Sequence, residues 1–279
     1  MPLTALTLNI GAPSLDRART QLRWLAGRPE DVLVLTETRA TPGTALIAQA
    51  LTNAGYQLAH PEHGPGDLGV LIASKVTAAI DPITAAMDCL PARLAGLAVN
   101  TAIGPVRVLG AYVPSRDATP DKTERKRAWI TAFHQALDAT ACDAPVLLLG
   151  DLNVIEPGHQ PAHRGQFAPF EYDFYRDLTD RHGLIDCYRR LHPDRVEHSW
   201  ARRPELGYRY DHVHATTTLA GQVTACGYVH GTREHQADGT RLTDHSALAV
   251  TLAVEGTVPL LTSDPATAAG AEPEEFTLF

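Results

Sequence analysis

No stretch of this chain approaches the roughly 18 uninterrupted apolar residues that a membrane-spanning helix requires. Cysteine is scarce too: Cys89, Cys142, Cys187 and Cys226 are the four in 279 residues, and no Cys-x-x-Cys pair occurs. Such wide spacing fits reduced thiols and argues against a disulfide framework or a zinc site. No basic leader or cleavage-site pattern precedes the first apolar stretch, since Met1-Pro2-Leu3-Thr4 runs straight into it. The expectation is a first strand at the N-terminus and a cytoplasmic protein. There is no repeat of fixed period. Charged residues make up 20% of the chain, slightly below the usual share.

The formal net charge is −8, but the acids are unevenly placed. Five of them (Glu255, Asp264, Glu272, Glu274, Glu275) fall in the last 25 residues, which hold no Lys or Arg, leaving −3 for residues 1–254. This balance argues against tight nonspecific binding to a duplex and leaves room for a local basic face.

What is present reads as alternating strands and helices. Leu3–Ile10 alternates like a strand, and Ser14 can cap a helix running to about Gly27 with Leu15, Ala18, Leu22 and Leu25 on one face. Val32-Leu33-Val34-Leu35 and Val146-Leu147-Leu148-Leu149 are continuous apolar runs, the pattern of strands covered on both faces. Helices are expected over about 43–53, 122–139 and 171–182. Strands are expected near 68–74, 93–101, 106–112, 209–216, 224–229 and 246–254. Ile103-Gly104-Pro105 reads as a hairpin turn, which favours antiparallel pairing over a plain doubly wound parallel sheet. The fold class that follows is α/β (α+β): a four-layer sandwich of two packed mixed β-sheets flanked by helices. One domain is expected over residues 1–254, with an acidic, disordered tail over 255–279.

Polar residues collect where apolar strands run out. Asn9 ends the first strand, Glu37 follows Val-Leu-Val-Leu-Thr, and Tyr112 ends Val-Leu-Gly-Ala. Asp151 and Asn153 follow Val-Leu-Leu-Leu-Gly. Asp211 and His212 open one late strand, and Asp244-His245 precede the last. Any one of these is more often a turn former or a helix cap than a catalytic group. Together they supply what hydrolysis of a phosphate ester requires. Carboxylates can hold Mg²⁺, a carboxylate or imidazole can orient water, and neutral donors can steady charged oxygens.

The segments Leu-Thr-Leu-Asn-Ile around Asn9, Leu-Thr-Glu-Thr-Arg around Glu37 and Gly-Asp-Leu-Asn-Val at 150–154 resemble signatures of the endonuclease/exonuclease/phosphatase family. Tyr-Asp-His-Val at 210–213 and Thr-Asp-His-Ser at 243–246 do as well, in the family's order, over about 250 residues. Further segments resemble its exonuclease III and apurinic/apyrimidinic endonuclease branch: Asp67–Val70, Gly110–Pro114, the helix through Ala128–Leu137, Gly183–Asp186 and Ser199-Trp200. The resemblance implies a metal held by Glu37, Asn9 and Asp244, with Mg²⁺ preferred and Mn²⁺ a substitute. It implies water positioned by Asp151, phosphate bound by Asn153 and Tyr112, and His245 oriented by Asp211. Two features depart from the pattern. Gly11 stands where the family often carries an Asn or Asp, and the stretch from Trp200 to Asp211 is short.

Six arginines lie between residues 189 and 209, with Trp200 and Tyr208 interleaved. Trp200, Arg202 and Arg209 are therefore expected on a DNA-binding surface. A second basic group, Arg116 with Lys122, Arg125, Lys126 and Arg127, reads equally well as solvated helix charge. The last residues, Glu275-Phe276-Thr277-Leu278-Phe279, resemble the peptides by which bacterial DNA enzymes dock on the sliding clamp, with Glu in place of the usual Gln. The leading expectation is a monomeric DNA phosphodiesterase, an abasic-site endonuclease or 3′ exonuclease. The alternatives are a phosphatase or phosphodiesterase for a small-molecule or lipid phosphoester, and a catalytically silent docking protein.

Overall fold

The structure, a computed structural model, describes residues 1–117, 119–203, 206–235 and 239–269. In chain order its elements are β1 (Pro2–Asn9), α1 (Leu15–Ala26), β2 (Val32–Arg39), α2 (Pro42–Asn53), β3 (Gln57–Ala59), β4 (Leu68–Ser74), β5 (Ala78–Ile80) and α3 (Ile83–Ala86). Then come β6 (Leu94–Thr101), β7 (Gly104–Tyr112), α4 (Pro120–Ala139), β8 (Val146–Asp151), α5 (Pro169–Asp180), β9 (Leu184–Asp186) and α6 (Cys187–Leu191). The last are β10 (Trp200–Arg203), β11 (Leu206–Tyr208), β12 (Asp211–Thr216), α7 (Thr217–Ala220), β13 (Val223–Val229), β14 (Ala247–Glu255) and α8 (Pro265–Ala268).

Two six-stranded sheets carry the fold, in the orders β13-β14-β1-β2-β4-β3 and β5-β6-β7-β8-β12-β9. Both are mixed, because β1/β2 and β7/β8 run parallel while their other neighbours run antiparallel. The expected four layers are present. Strand alternation explains why the apolar runs are unbroken. In β2, Val32 and Val34 join the core between the sheets while Leu33 and Leu35 pack on the helix side with α1 and α2. In β8, Leu147 and Leu149 face the inter-sheet core while Val146 and Leu148 meet Trp129, Phe133 and Phe174 of α4 and α5. Ser14 caps α1 through its side chain, as expected.

Two sequence expectations change. Within the stretch from Trp200 to Asp211, β10 and β11 pair antiparallel as a separate two-stranded sheet, and the strand expected from Arg209 begins at Asp211. Residues 256–269, assigned by composition to the tail, run back along the body. Val258 and Leu260 exchange backbone hydrogen bonds with Thr77 and Lys75, and α8, capped by Asp264, buries Pro265. Alanines 266, 268 and 269 pack against the helix-side core. The residues from 270 onward, Phe276–Phe279 included, lie outside the described ones. Among the described residues no helix is long and apolar enough to cross a membrane.

The sheets approach closely at Gly110, an inward position of β7. A Cβ there would stand 2.7 Å from Val70 Cγ1 and 2.8 Å from Val34 Cγ1. Gly110→Val should therefore lose about 1–3 kcal/mol, the usual cost of overpacking, measured by urea unfolding. A loss below about 0.5 kcal/mol, within ordinary surface variation, would show that the sheets have slack.

Candidate active site

The inward positions of four strands run in phase toward one end of the sandwich. Leu3 and Ala5 of β1, Val106 and Val108 of β7, Leu147 and Leu149 of β8, and Val213 and Ala215 of β12 all belong to the inter-sheet core. Two-residue periodicity then places Asn9, Tyr112, Asp151 and Asp211 on the same inner face at the strand ends. Register aligns them further. Tyr112 pairs with Asp151 across β7/β8, Asp151 with Asp211 across β8/β12, and Asn9 with Thr36 across β1/β2.

The two sheets are joined at this end by side chains. Asn9 Nδ2 donates to Asp151 Oδ2 at 2.9 Å and lies 3.5 Å from His245 Nε2. His245 Nδ1 is 2.8 Å from Asp211 Oδ2. The reactive atoms of Asp151, Asp211 and His245 all lie within 4.8 Å of one another, and all three residues are buried. Backbone amides hold the carboxylate segments in place. Asn153 N donates to Asp151 Oδ1 at 2.9 Å, and Ser199 Oγ accepts from the amides of Tyr210 and Asp211 at 3.0 and 3.1 Å. Thr243 Oγ1 donates to Asn9 O at 2.7 Å, tying the His245 loop to β1.

Charge in this cluster is mutually adjusted. Burial, then the charge of Asp211, pushes Asp151 up to about 7. Burial alone would lower His245, but Asp211, with Asp151 and Asp244 nearby, raises it to about 9. A base raised in this way stabilises the fold fully below its unfolded value near 6.5 and loses that contribution as pH climbs through about 9. Burial, Glu37 and Asp151 hold the Tyr112 phenol well above its ordinary range, which also places all three groups in one field. Arg93 donates to Tyr112 O and lies over the Tyr112 ring, 4.7 Å from its centroid.

Glu37 owes its position to a bulge. The β2/β4 register shifts between Thr36 and Thr38, and Glu37 takes φ +56°, rare for a non-glycine residue. A regular strand would send Glu37 to the helix side with Leu33 and Leu35. The extra residue breaks that alternation, and the Glu37 charge is felt by the Tyr112 phenol. Asn153 is likewise left-handed, at φ +48°. Its side-chain Nδ2 donates to Val113 O, and its backbone carbonyl accepts from Lys126 Nζ at 2.7 Å. Lys126 is itself buried and ion-paired to Glu171, which also takes Arg116.

Trp200 Nε1 donates to Asp244 Oδ2 at 3.0 Å. Burial opposes ionisation of Asp244, yet His245 and that indole N–H keep its carboxyl below the usual range. The Trp200 ring lies 6.5 Å from His245 and 5.9 Å from Tyr210, which stacks on Tyr208 at 5.0 Å. Arg202 stands exposed on the hairpin and is not drawn into the cluster. Arg209 corrects the sequence reading. It is fully buried, bonded through Nε to Glu156 at 3.0 Å and through Nη2 to Asp186 at 2.6 Å, so no substrate can reach it. Sequence reasoning missed Arg93, the capping of the Asp211 strand by Ser199, and the pairing of Lys126 with Glu171. The one available signal was that a lysine at 126 falls on the apolar side of its helix.

The chain matches the model of the Endonuclease/Exonuclease/phosphatase family over residues 6–245. It belongs to that family. It is a phosphoester-hydrolysing enzyme, and Asp151, Asp211 and His245 at the strand ends are one of two buried groups among the described residues that could hold a metal, Asp186, His212 and His214 being the other. Solved structures with the same fold include an AP endonuclease from Archaeoglobus fulgidus, at 22% identity and TM-score 0.72. They also include a 3′-5′ exonuclease (NExo) from Neisseria meningitidis, at 22% identity and TM-score 0.73. A third describes the Neisseria NExo as a 3′ phosphatase bound to a product DNA hairpin, at 22% identity and TM-score 0.69. Each alignment covers 90% of this chain and 99% of the other. No curated protein matches this family member by sequence.

Lys126→Met would leave a buried Glu171 short of one partner and free the Asn153 carbonyl. Urea unfolding should show a loss of about 3–5 kcal/mol. A loss under about 1 kcal/mol, the size of an exposed pair, would mean that the ion pair does not anchor this loop.

Proposed function

We propose that this enzyme hydrolyses phosphodiester bonds in DNA, at abasic sites or 3′ ends, in a reaction that depends on Mg²⁺ with Mn²⁺ as a substitute. The observation that carries the reading is the Asp211–His245–Asn9–Asp151 chain of contacts, set beside a wall of Trp200 and Tyr210. A divalent cation fits the residues present. Asp211 Oδ1 is buried without a hydrogen-bond partner, and the donors that converge are mostly oxygen. Glu37, Asn9 and Asp244 would hold the ion, which neutralises phosphate charge and assists departure of the leaving oxygen.

The protein's own groups do the rest. Asp151, pushed up to about 7 by burial and Asp211, is poised to take a proton from the attacking water near neutral pH. His245, kept protonated by Asp211, donates to a phosphate oxygen. Asn153 and Tyr112 bind the remaining oxygens as neutral donors, and Tyr112 stays protonated because its phenol is held so high. Trp200, with Arg202 on the neighbouring hairpin surface, would contact the DNA. DNA is supported by the substrates named for the structural neighbours and by the aromatic wall. In this reading the protein works as a cytoplasmic monomer, and Phe276–Phe279 dock on a sliding clamp. The short β10–β11 hairpin and the net charge of −8 favour the second reading, a small-molecule or lipid phosphoester.

Incision of a labelled duplex carrying one abasic site should require Mg²⁺ and stop with EDTA. His245→Ala and Glu37→Ala should each lower kcat by about 10²–10⁴. Turnover of a simple phosphoester with no incision of the duplex would transfer the enzyme to the second reading.

A further inference from the structure

A cavity of about 750 Å³ lies not at the catalytic mouth but in a groove beside it, between α1 and residues 240–242. Its lining is unusual for a chain of net charge −8. Arg17, Arg23 and Arg241 converge there, with Trp24 and Leu242 as apolar walls. The rim carboxylate, Asp16, is already engaged by Arg19 at 3.0 Å. Arg17 donates to Gly11 O, two residues beyond Asn9, and its Nε is buried without a partner.

The groove is fixed rigidly to the catalytic end. Buried Gln21 donates through Nε2 to both Ile10 O and Leu242 O, each at 3.0 Å. Ile10 follows Asn9, and Leu242 precedes Thr243, which bonds back to Asn9 O. One amide thus joins the groove's helix to both segments that carry the site.

We propose that this groove binds single-stranded nucleic acid continuous with the scissile phosphate, arginines on the phosphates and Trp24 against a base. Guanidinium groups match phosphate geometry, and the Trp24 indole at the groove wall, backed by the Arg28 guanidinium 5.0 Å from its ring centroid, offers a sequence-tolerant stacking surface. A groove this size is ample for a nucleotide or two, within the range of ordinary ligand sites. The proposal rests on the DNA reading above and adds a second binding element to it. It would make the enzyme favour substrates with an unpaired strand leading away from the cut.

The test is a charge reversal of two exposed arginines, Arg23→Glu with Arg241→Glu, in the full chain. KM for a single-stranded-tailed oligonucleotide should rise at least fivefold, and its logarithmic salt dependence should weaken by roughly 1.4, the share of two phosphates on a single strand. Turnover of bis(p-nitrophenyl) phosphate, too small to reach the groove, should stay within twofold. Trp24 fluorescence, assigned by comparison with Trp24→Phe, should quench when the oligonucleotide binds. An oligonucleotide KM within twofold of the unmodified enzyme's, with no Trp24 quenching, overturns the groove proposal alone. If the unmodified enzyme turns over the small diester but neither binds nor cuts any oligonucleotide, the DNA reading falls and takes the groove with it.

Discussion

Two buried carboxylates face each other across neighbouring strands, and the rest of the site is arranged around that conflict. Asp151 and Asp211 are paired in register on β8 and β12, both almost without solvent contact. Like charges directly opposite on a sheet are destabilising, more so out of water. The protein relieves the repulsion with a proton on His245, an amide from Asn9 and the backbone N–H of Asn153. One oxygen of Asp211 still has no hydrogen-bond partner. The feature that makes the folded state costly is therefore the one that gives it chemistry: a carboxylate near 7 and an imidazole near 9, within 4.8 Å.

Two sheets are needed to build this. One sheet alone would align Tyr112, Asp151 and Asp211 in a row but would leave nothing above them. The second brings Asn9 and, through the bulge, Glu37 to the opposite wall. Closeness between the sheets depends on Gly110, where any side chain would meet Val34 and Val70. The geometry of the candidate site thus rests on the same close packing that forms the inter-sheet core.

Much of this was legible in the sequence because strand alternation is so regular. Unbroken runs such as Val32–Leu35 and Val146–Leu149 marked strands covered on both faces, and polar residues at their ends marked one rim. Other features depended on contacts that no local pattern encodes. Arg209 looks like a surface phosphate ligand beside Trp200 and Tyr208, yet Glu156 and Asp186, far away in sequence, hold it inside. Lys126 looks like one of several solvated helix charges and is instead a buried anchor for Asn153. Glu37 follows a strand in the sequence, but its reach depends on a register shift against β4. Residues 256–269 have the composition of a tail, and only their partners at Lys75, Thr77 and Ala54 show that they pack on the body.

The most direct test of this picture is the titration of the His245 imidazole by NMR in metal-free protein, with the signal assigned from a His245→Gln variant. If Asp211 and Asp151 together hold the ring protonated, it should titrate near 9 and fall by more than one pH unit in Asp211→Asn. A midpoint near 6.5 that Asp211→Asn does not move would contradict the paired-carboxylate account on which the site and its chemistry depend.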